Sequence, residues 1–143
     1  MTSDNARENA RAELAKAYAA LRAARSLADL ELFDDAASRL YYAVFHLLGA
    51  TLLALGVQAQ THGGLAALLG QHLVKPGLLP AHVARDFATL MALRGQADYN
   101  RHFSMDAEGF VGELGRAERV FSVAEAFFSS HGVEVPRDST PAG

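Results

Sequence analysis

The spacing of apolar residues along this chain predicts helices and gives no support for a sheet. Between Asn5 and Leu30, apolar residues recur at helical intervals and so share one side of a helix: Ala10, Leu14, Ala17, Leu21 and Ala28. Four basic residues lie beside this stripe: Arg7, Arg11, Arg22 and Arg25. They form either a solvated flank that covers the edge of the core or a shallow strip for binding phosphate.

A second helix is predicted from about Ala36 to Leu55, with Asp34 or Asp35 as its N-cap. It is apolar nearly all the way round, which is typical of a helix buried in a bundle. Its exceptions project into one sector and form a polar seam: Ser38, Arg39, Tyr42, His46 and Gly49. This seam needs partners, because an unpaired buried charge costs several kcal/mol.

Three further helices complete the predicted fold. Thr61 is the expected N-cap of a short third helix that runs to about Val74, where the segment KPGLLP breaks the pattern. Pro80 suits the first turn of a fourth helix. That helix directs four apolar residues inward: Val83, Phe87, Leu90 and Met91. Arg94 and Asp98 continue the same inward face, one turn apart.

The last predicted helix begins near Ser104 or Asp106 and ends around His131–Gly132. One face carries Phe110, Leu114, Ala117, Phe121, Ala124 and Phe128. We expect residues 1–132 to form a single all-α domain, an antiparallel up-and-down four-helix bundle with one additional short helix. Residues 133–143 have no periodicity and are expected to form a disordered tail.

Composition narrows the possible functions. The chain has 143 residues and no cysteine, which excludes disulfides and cysteine-ligated metal sites. Its formal charge of −3 leaves no basic surplus, so any contact with RNA must depend on a local patch. The longest apolar run, Val44 to Val57, is too short to span a bilayer, and no signal-peptide pattern precedes it. We therefore expect a soluble, cytoplasmic protein without a membrane contact.

Two of the predicted helices bring charged side chains into the bundle: Arg39 and His46 from the second, Arg94 and Asp98 from the fourth. One interpretation is structural, with Arg94 paired to Asp98 and a tyrosine hydroxyl completing a network that fixes the helix register. The alternative is an active groove. There a histidine would transfer protons and an arginine would stabilise a developing negative charge.

Four segments resemble the conserved blocks of the HEPN family: SRLYYAVFH at 38–46, THGGL at 61–65, VKPG at 74–77 and LRGQADYN at 93–100. They are most similar to the subgroup with Ser-Arg-x-Tyr-Tyr-Ala and Arg-x-x-Ala-Asp-Tyr motifs. The resemblance covers about residues 10–130 and implies a bundle that forms a homodimer. It also implies a toxin–antitoxin pair with a nucleotidyltransferase, in which the HEPN protein cleaves RNA at the dimer cleft with no metal or cofactor.

In this resemblance, Arg94 corresponds to the arginine of the family's Arg-x(4–6)-His motif. Asp98 lies near the place of the motif histidine, and His102 follows Arg94 by eight residues, outside the family spacing. Arg39 and His46 offer a second pair. Six residues separate them in the sequence, and the two share one face of a different helix. We favour His46 as the proton-transfer group, with Arg94 and Arg39 as phosphate contacts.

Other residues have smaller expected roles. Tyr99 resembles the tyrosine that the partner nucleotidyltransferase modifies with AMP in some relatives, and Tyr42 and Ser38 are expected binding residues. His62, by contrast, is expected to begin a helix rather than to bind a ligand, and the histidine spacings do not predict a metal site. Two alternatives to the ribonuclease remain open: a non-catalytic HEPN module that binds a nucleotide or a partner, and a plain dimerising helical protein.

Overall fold

A computed structural model describes residues 3–136 of the chain. It contains five α-helices: α1 (Asp4–Asp29), α2 (Phe33–Ala54), α3 (His62–Leu69), α4 (His82–Tyr99) and α5 (Ala107–Ser130). A π-helical turn, Gly70–Val74, follows α3 directly. No strand occurs within residues 3–136, so the predicted all-α fold is confirmed.

Helix α2 is the central element of the bundle, because α1, α3, α4 and α5 all pack against it. Most of its apolar side chains are buried, and Leu40, Leu47 and Leu52 are completely so. Removing so much apolar surface from water is the main stabilising contribution, at roughly 25 cal/mol per Å². The helix was predicted to be buried from its nearly uniform apolar composition, and this is confirmed.

The predicted helix starts were correct for α3 and α5 and wrong for α2. Thr61 accepts a hydrogen bond from the Gly64 N–H at 2.8 Å, and Asp106 accepts one from Gly109 at 2.7 Å. Helix α2 instead begins at Phe33, without a side-chain cap. The turn before it is compact, because Glu31 adopts a left-handed backbone conformation with φ of 61°.

Since that turn is so short, the two aspartates predicted as caps lie inside the first turn of α2. Their negative charges there still stabilise the helix, because they lie near the positive end of its dipole. Asp34 also accepts a hydrogen bond from the Met105 N–H at 2.8 Å, which ties the segment before α5 to the start of α2.

The arginines beside the apolar stripe of α1 are partly engaged within the protein. Arg7 pairs with Asp4, and the Arg25 guanidinium lies 2.8 Å from Glu118 of α5. Arg11 and Arg22 are exposed. These contacts favour a solvated flank over a dedicated phosphate strip.

Helix α5 ends at Ser130, and after Gly132, which has a positive φ of 70°, the chain returns to the bundle. Val133 is buried among the core residues. The expected tail spans residues 133–143, and from 137 onward it lies outside the described residues. Among residues 3–136, no helix combines the length and the apolar character that a bilayer crossing requires.

Candidate functional site

Arg94 lies where the polar seam of α2 meets α4. Its guanidinium carbon is 5.0 Å from the ring centroid of Tyr41 and 5.8 Å from that of Tyr42. Its Nη1 is 3.6 Å from Oδ2 of Asp98, one turn along α4. The Arg94 Nε is buried and has no hydrogen-bond partner in the described part of the chain. The protein therefore positions this guanidinium without using all of its donors.

Arg94 remains a cation in this setting. Burial lowers the pKa of its guanidinium, but the nearby tyrosines and Asp98 more than compensate, so the pKa is raised overall. A permanent positive charge over aromatic rings suits recognition of a phosphate group.

Asp98 connects α4 to the seam of α2. Its Oδ1 accepts a hydrogen bond from the hydroxyl of Ser38, a nearly buried residue, while its Oδ2 faces Arg94. The expected pair of Arg94 and Asp98 is thus formed, and the hydroxyl that joins Asp98 is that of Ser38 rather than of a tyrosine. Asp98 already has two partners, so its arrangement is that of an acceptor that orients Arg94.

His46 lies farther along the same seam and contacts α1. Its Nδ1 is 2.7 Å from Oε2 of Glu13, and both side chains are partly exposed. The hydrogen bond to His46 is the largest cause of the lowered pKa of Glu13, which therefore stays ionised at neutral pH. Because a carboxylate only accepts, the proton of a neutral His46 lies on Nδ1 and the lone pair is left on Nε2. This is the arrangement of a general base oriented by a carboxylate.

His62, the first residue of α3, completes the group and was missed from the sequence. The hydroxyl of Tyr41 is hydrogen-bonded to its Nδ1, and its ring stacks on Phe45 with centroids 4.2 Å apart. The pKa of His62 is lowered, first by burial and then by the positive charge of Arg94 and by His46. The segment THGGL could have indicated its position, since the Thr61 cap makes His62 the first residue of α3.

Arg39 forms the exposed rim of the site. Its guanidinium carbon is 4.7 Å from the Tyr42 ring centroid, so Tyr42 has an arginine within cation–π distance from each of two helices. We call the following residues the polar cluster: Glu13, Ser38, Arg39, Tyr41, Tyr42, His46, His62, Arg94 and Asp98.

Two of the predicted site residues lie outside the polar cluster. Tyr99, the last residue of α4, is 79% exposed. His102 lies in the turn after α4, where its backbone N–H donates to Oδ1 of Asn100 at 3.0 Å. Within residues 3–136, no hydrogen bond or ion pair joins the His102 side chain to Arg94, and no group of three His, Asp or Glu residues is arranged to hold a metal ion.

Comparison with known proteins identifies relatives over most of the chain. The model of the HEPN domain family matches residues 10–133. A UPF0332 protein of Gloeobacter violaceus is 41% identical over 105 residues, which are 71% of this chain and 83% of that protein. A protein of Methanocaldococcus jannaschii named "Putative toxin" is 31% identical over 121 residues, 85% of this chain and 84% of that protein. The family match spans all nine residues of the polar cluster.

Proposed function

Because this chain belongs to the HEPN domain family, we propose that it is a toxin-like protein that cleaves RNA without a metal ion. The name of the Methanocaldococcus relative supports the toxin assignment. The observation that carries the ribonuclease assignment is the polar cluster itself. In this cluster Glu13 orients Nδ1 of His46, and His62 lies within electrostatic range of both His46 and the cation Arg94.

The proposed reaction uses the 2′-hydroxyl of the RNA as its nucleophile. Nε2 of His46 accepts the hydroxyl proton, the O2′–P bond forms, and the P–O5′ bond breaks. Water protonates the leaving O5′, and the hydroxide produced takes the proton back from His46. Arg94 and Arg39 stabilise the negative charge on the phosphorane. The products are a 2′,3′-cyclic phosphate and a 5′-hydroxyl.

The first test is cleavage of single-stranded RNA and tRNA by purified protein in EDTA. Arg94→Ala and His46→Ala should each lower the rate at least about a hundredfold. Arg85→Ala removes an exposed arginine from α4, the helix that carries Arg94, and should leave the rate unchanged. His102→Ala decides between the histidines: loss of cleavage in this variant alone would move the site to the end of α4. Intact RNA with the wild-type protein, alone and with its genomic neighbour, would reject the ribonuclease.

We further propose that the protein is a homodimer whose interface includes a groove between α3 and α4. The groove has a volume of about 490 Å³ and is lined by apolar residues, including Phe87 and Met91 of α4 and Gly63 beside His62. A second copy bound there would form a cleft next to the polar cluster. Light scattering at low micromolar concentration should give twice the 15.3 kDa of one chain. Ala88→Glu, in the groove, should yield monomers, whereas Ala19→Glu on the exposed face of α1 should not.

A second candidate function is a non-catalytic module that binds a nucleotide or a partner enzyme. The observation in its favour is that Asp98, which lies near the expected place of the motif histidine, contacts both Ser38 and Arg94. Calorimetry with AMP and ATP tests it, with the Arg94→Ala variant as the control. Binding by the wild-type protein that is lost in the variant, together with intact RNA, would favour the module.

Tyr99 fits a partner nucleotidyltransferase in either case. Its ring is 79% exposed at the end of α4, so its phenol is accessible to a second protein. We propose that its oxygen attacks the α-phosphorus of ATP on the partner enzyme, which transfers AMP and releases pyrophosphate. Mass spectrometry after incubation with the neighbouring gene product should show the modification, and Tyr99→Phe should abolish it.

A further inference from the structure

His62 is held in one orientation by two aromatic rings of α2, those of Phe45 and Tyr41. Its ring stacks on Phe45 at a centroid distance of 4.2 Å with planes 20° apart, and it lies 5.6 Å from the Tyr41 ring with planes 21° apart. The Thr61 cap fixes the backbone from which the side chain projects. Such constraint is unnecessary for a residue that only begins a helix.

Tyr41 determines which nitrogen of His62 carries a proton. Tyr41 is completely buried, and burial raises the pKa of its hydroxyl to about 12, so the group is protonated at neutral pH. The phenol oxygen interacts with the Arg94 guanidinium, which can only donate. The single hydroxyl proton of Tyr41 is therefore directed to Nδ1 of His62. Since Nδ1 accepts, a neutral His62 carries its proton on Nε2.

The surroundings of His62 keep it neutral and leave its Nε2 accessible. The titratable and charged groups that face it are Arg94 from α4 and Tyr41, Tyr42 and His46 from α2. These include a fixed cation and no carboxylate. Nε2 has no hydrogen-bond partner within residues 3–136, yet it is not among the fully buried unpaired atoms. It can thus donate to a group that arrives from solvent.

We propose that His62 donates its Nε2–H to an oxygen of the phosphate bound beside Arg94, and that Tyr41 holds it in the tautomer for this role. The inference rests on the proposed function for the identity of that phosphate, an RNA phosphodiester. It gives the two imidazoles of the polar cluster opposite tasks. His46, oriented by Glu13, has its lone pair on Nε2 and accepts a proton, whereas His62, oriented by Tyr41, is an electrophilic donor.

The tautomer is tested by nitrogen-15 NMR of the histidine rings at neutral pH. His62 should be neutral with its proton on Nε2, and Tyr41→Phe should raise its pKa and allow the other tautomer. Inorganic phosphate and uridine 3′-monophosphate should each shift the Nε2 resonance of His62. They should not shift His131, which lies by the C-terminal end of α2. A proton on Nδ1 in the wild-type protein, or no shift with either ligand, would overturn the proposal.

Catalysis provides a second test, with a conservative variant that keeps a donor. His62→Ala should lower the rate of RNA cleavage about a hundredfold, as expected for loss of one donor to a developing oxyanion. His62→Gln places an amide N–H near the position of Nε2 and should recover activity to within about tenfold of wild type. His131→Gln is the matched control.

The outcomes distinguish this inference from the proposed function. A wild-type protein that cleaves RNA, combined with a His62→Ala variant of equal rate and unchanged circular dichroism, overturns the role of His62 alone. A wild-type protein that leaves RNA intact but shows the phosphate-dependent shift of Nε2 overturns the ribonuclease and supports His62 as a phosphate donor.

Discussion

Arg94→Ala should destabilise the folded protein by about 2 kcal/mol, less than a completely buried ion pair would imply. The side chain of Arg94 is 19% exposed and that of Asp98 is 32% exposed, with 3.6 Å between the nearest charged atoms. Breaking a dry pair costs about 3–5 kcal/mol, whereas exposed pairs contribute roughly 0.2–1 kcal/mol. Because the exposure of this pair is intermediate, we expect it to contribute about 1 kcal/mol to the free energy of unfolding. The cation–π contacts with Tyr41 and Tyr42 add about 0.5 kcal/mol each.

A double-mutant cycle separates these contributions. Urea denaturation of wild type, Arg94→Ala, Asp98→Ala and the double variant should give a coupling energy near 1 kcal/mol for the pair. The remainder of the Arg94→Ala effect should persist in the Asp98→Ala background, since the tyrosine rings are still present. Arg85→Ala, on the exposed side of α4, should stay within about 0.5 kcal/mol of wild type.

Two results would refute this reasoning. An unchanged denaturation midpoint for Arg94→Ala would show that the rings and Asp98 do not hold the guanidinium. A loss above about 4 kcal/mol would show that the site is dry and that the observed exposure does not screen the charges. Changes in the urea m-value would indicate altered compactness rather than a lost contact.

Two other contacts predict a loss of stability that differs in size or in its dependence on pH. Asp86 has a side chain only 7% exposed and bridges His82 at 3.0 Å and Arg116 of α5 at 2.9 Å. Asp86→Ala should cost about 3 kcal/mol and lower the thermal midpoint more than Arg94→Ala does. Glu13 has a lowered pKa in the folded state, so its contact with His46 stabilises at neutral pH and is lost as the pH falls through that lowered pKa. Glu13→Gln should therefore lower stability at neutral pH and flatten the acid limb of a stability–pH curve, and an unaltered acid limb would contradict this.

The polar seam of α2 could be predicted from the sequence because polar residues on an otherwise apolar helix require partners. The pairing of Arg94 with Asp98 also followed from their spacing of one turn on α4, and the structure forms it. Glu13 could not be identified as the partner of His46. That contact depends on how α1 packs against α2, which helical periodicity in one sequence does not determine.

The sequence gives little indication of the role of His62, because the spacing of histidines along a chain is a test for metal ligands only. Its actual partner, Tyr41, looked like an ordinary core residue of an apolar helix. The relevant feature is a hydrogen bond between α2 and the start of α3, across a loop whose path the pattern does not specify.

The start of α2 was misplaced for a local reason. A left-handed backbone conformation is uncommon for a residue with a side chain, so nothing in Glu31 indicated such a tight turn. The two aspartates that resembled caps are therefore first-turn residues. The third helix was expected to continue evenly to Val74, but its last part is the π-helical turn that begins at Gly70.

The measurement that tests the account most directly is the chemistry of the RNA ends produced in EDTA. We predict that the purified protein leaves 2′,3′-cyclic phosphate and 5′-hydroxyl ends, because the 2′-hydroxyl is the proposed nucleophile. A single 2′-deoxy substitution at a cleaved position should block cutting there and nowhere else. Cleavage at the deoxy position or ends that carry a 5′-phosphate would contradict the proposed role of the polar cluster. Wild-type activity in the His46→Ala and Arg94→Ala variants would contradict it as well.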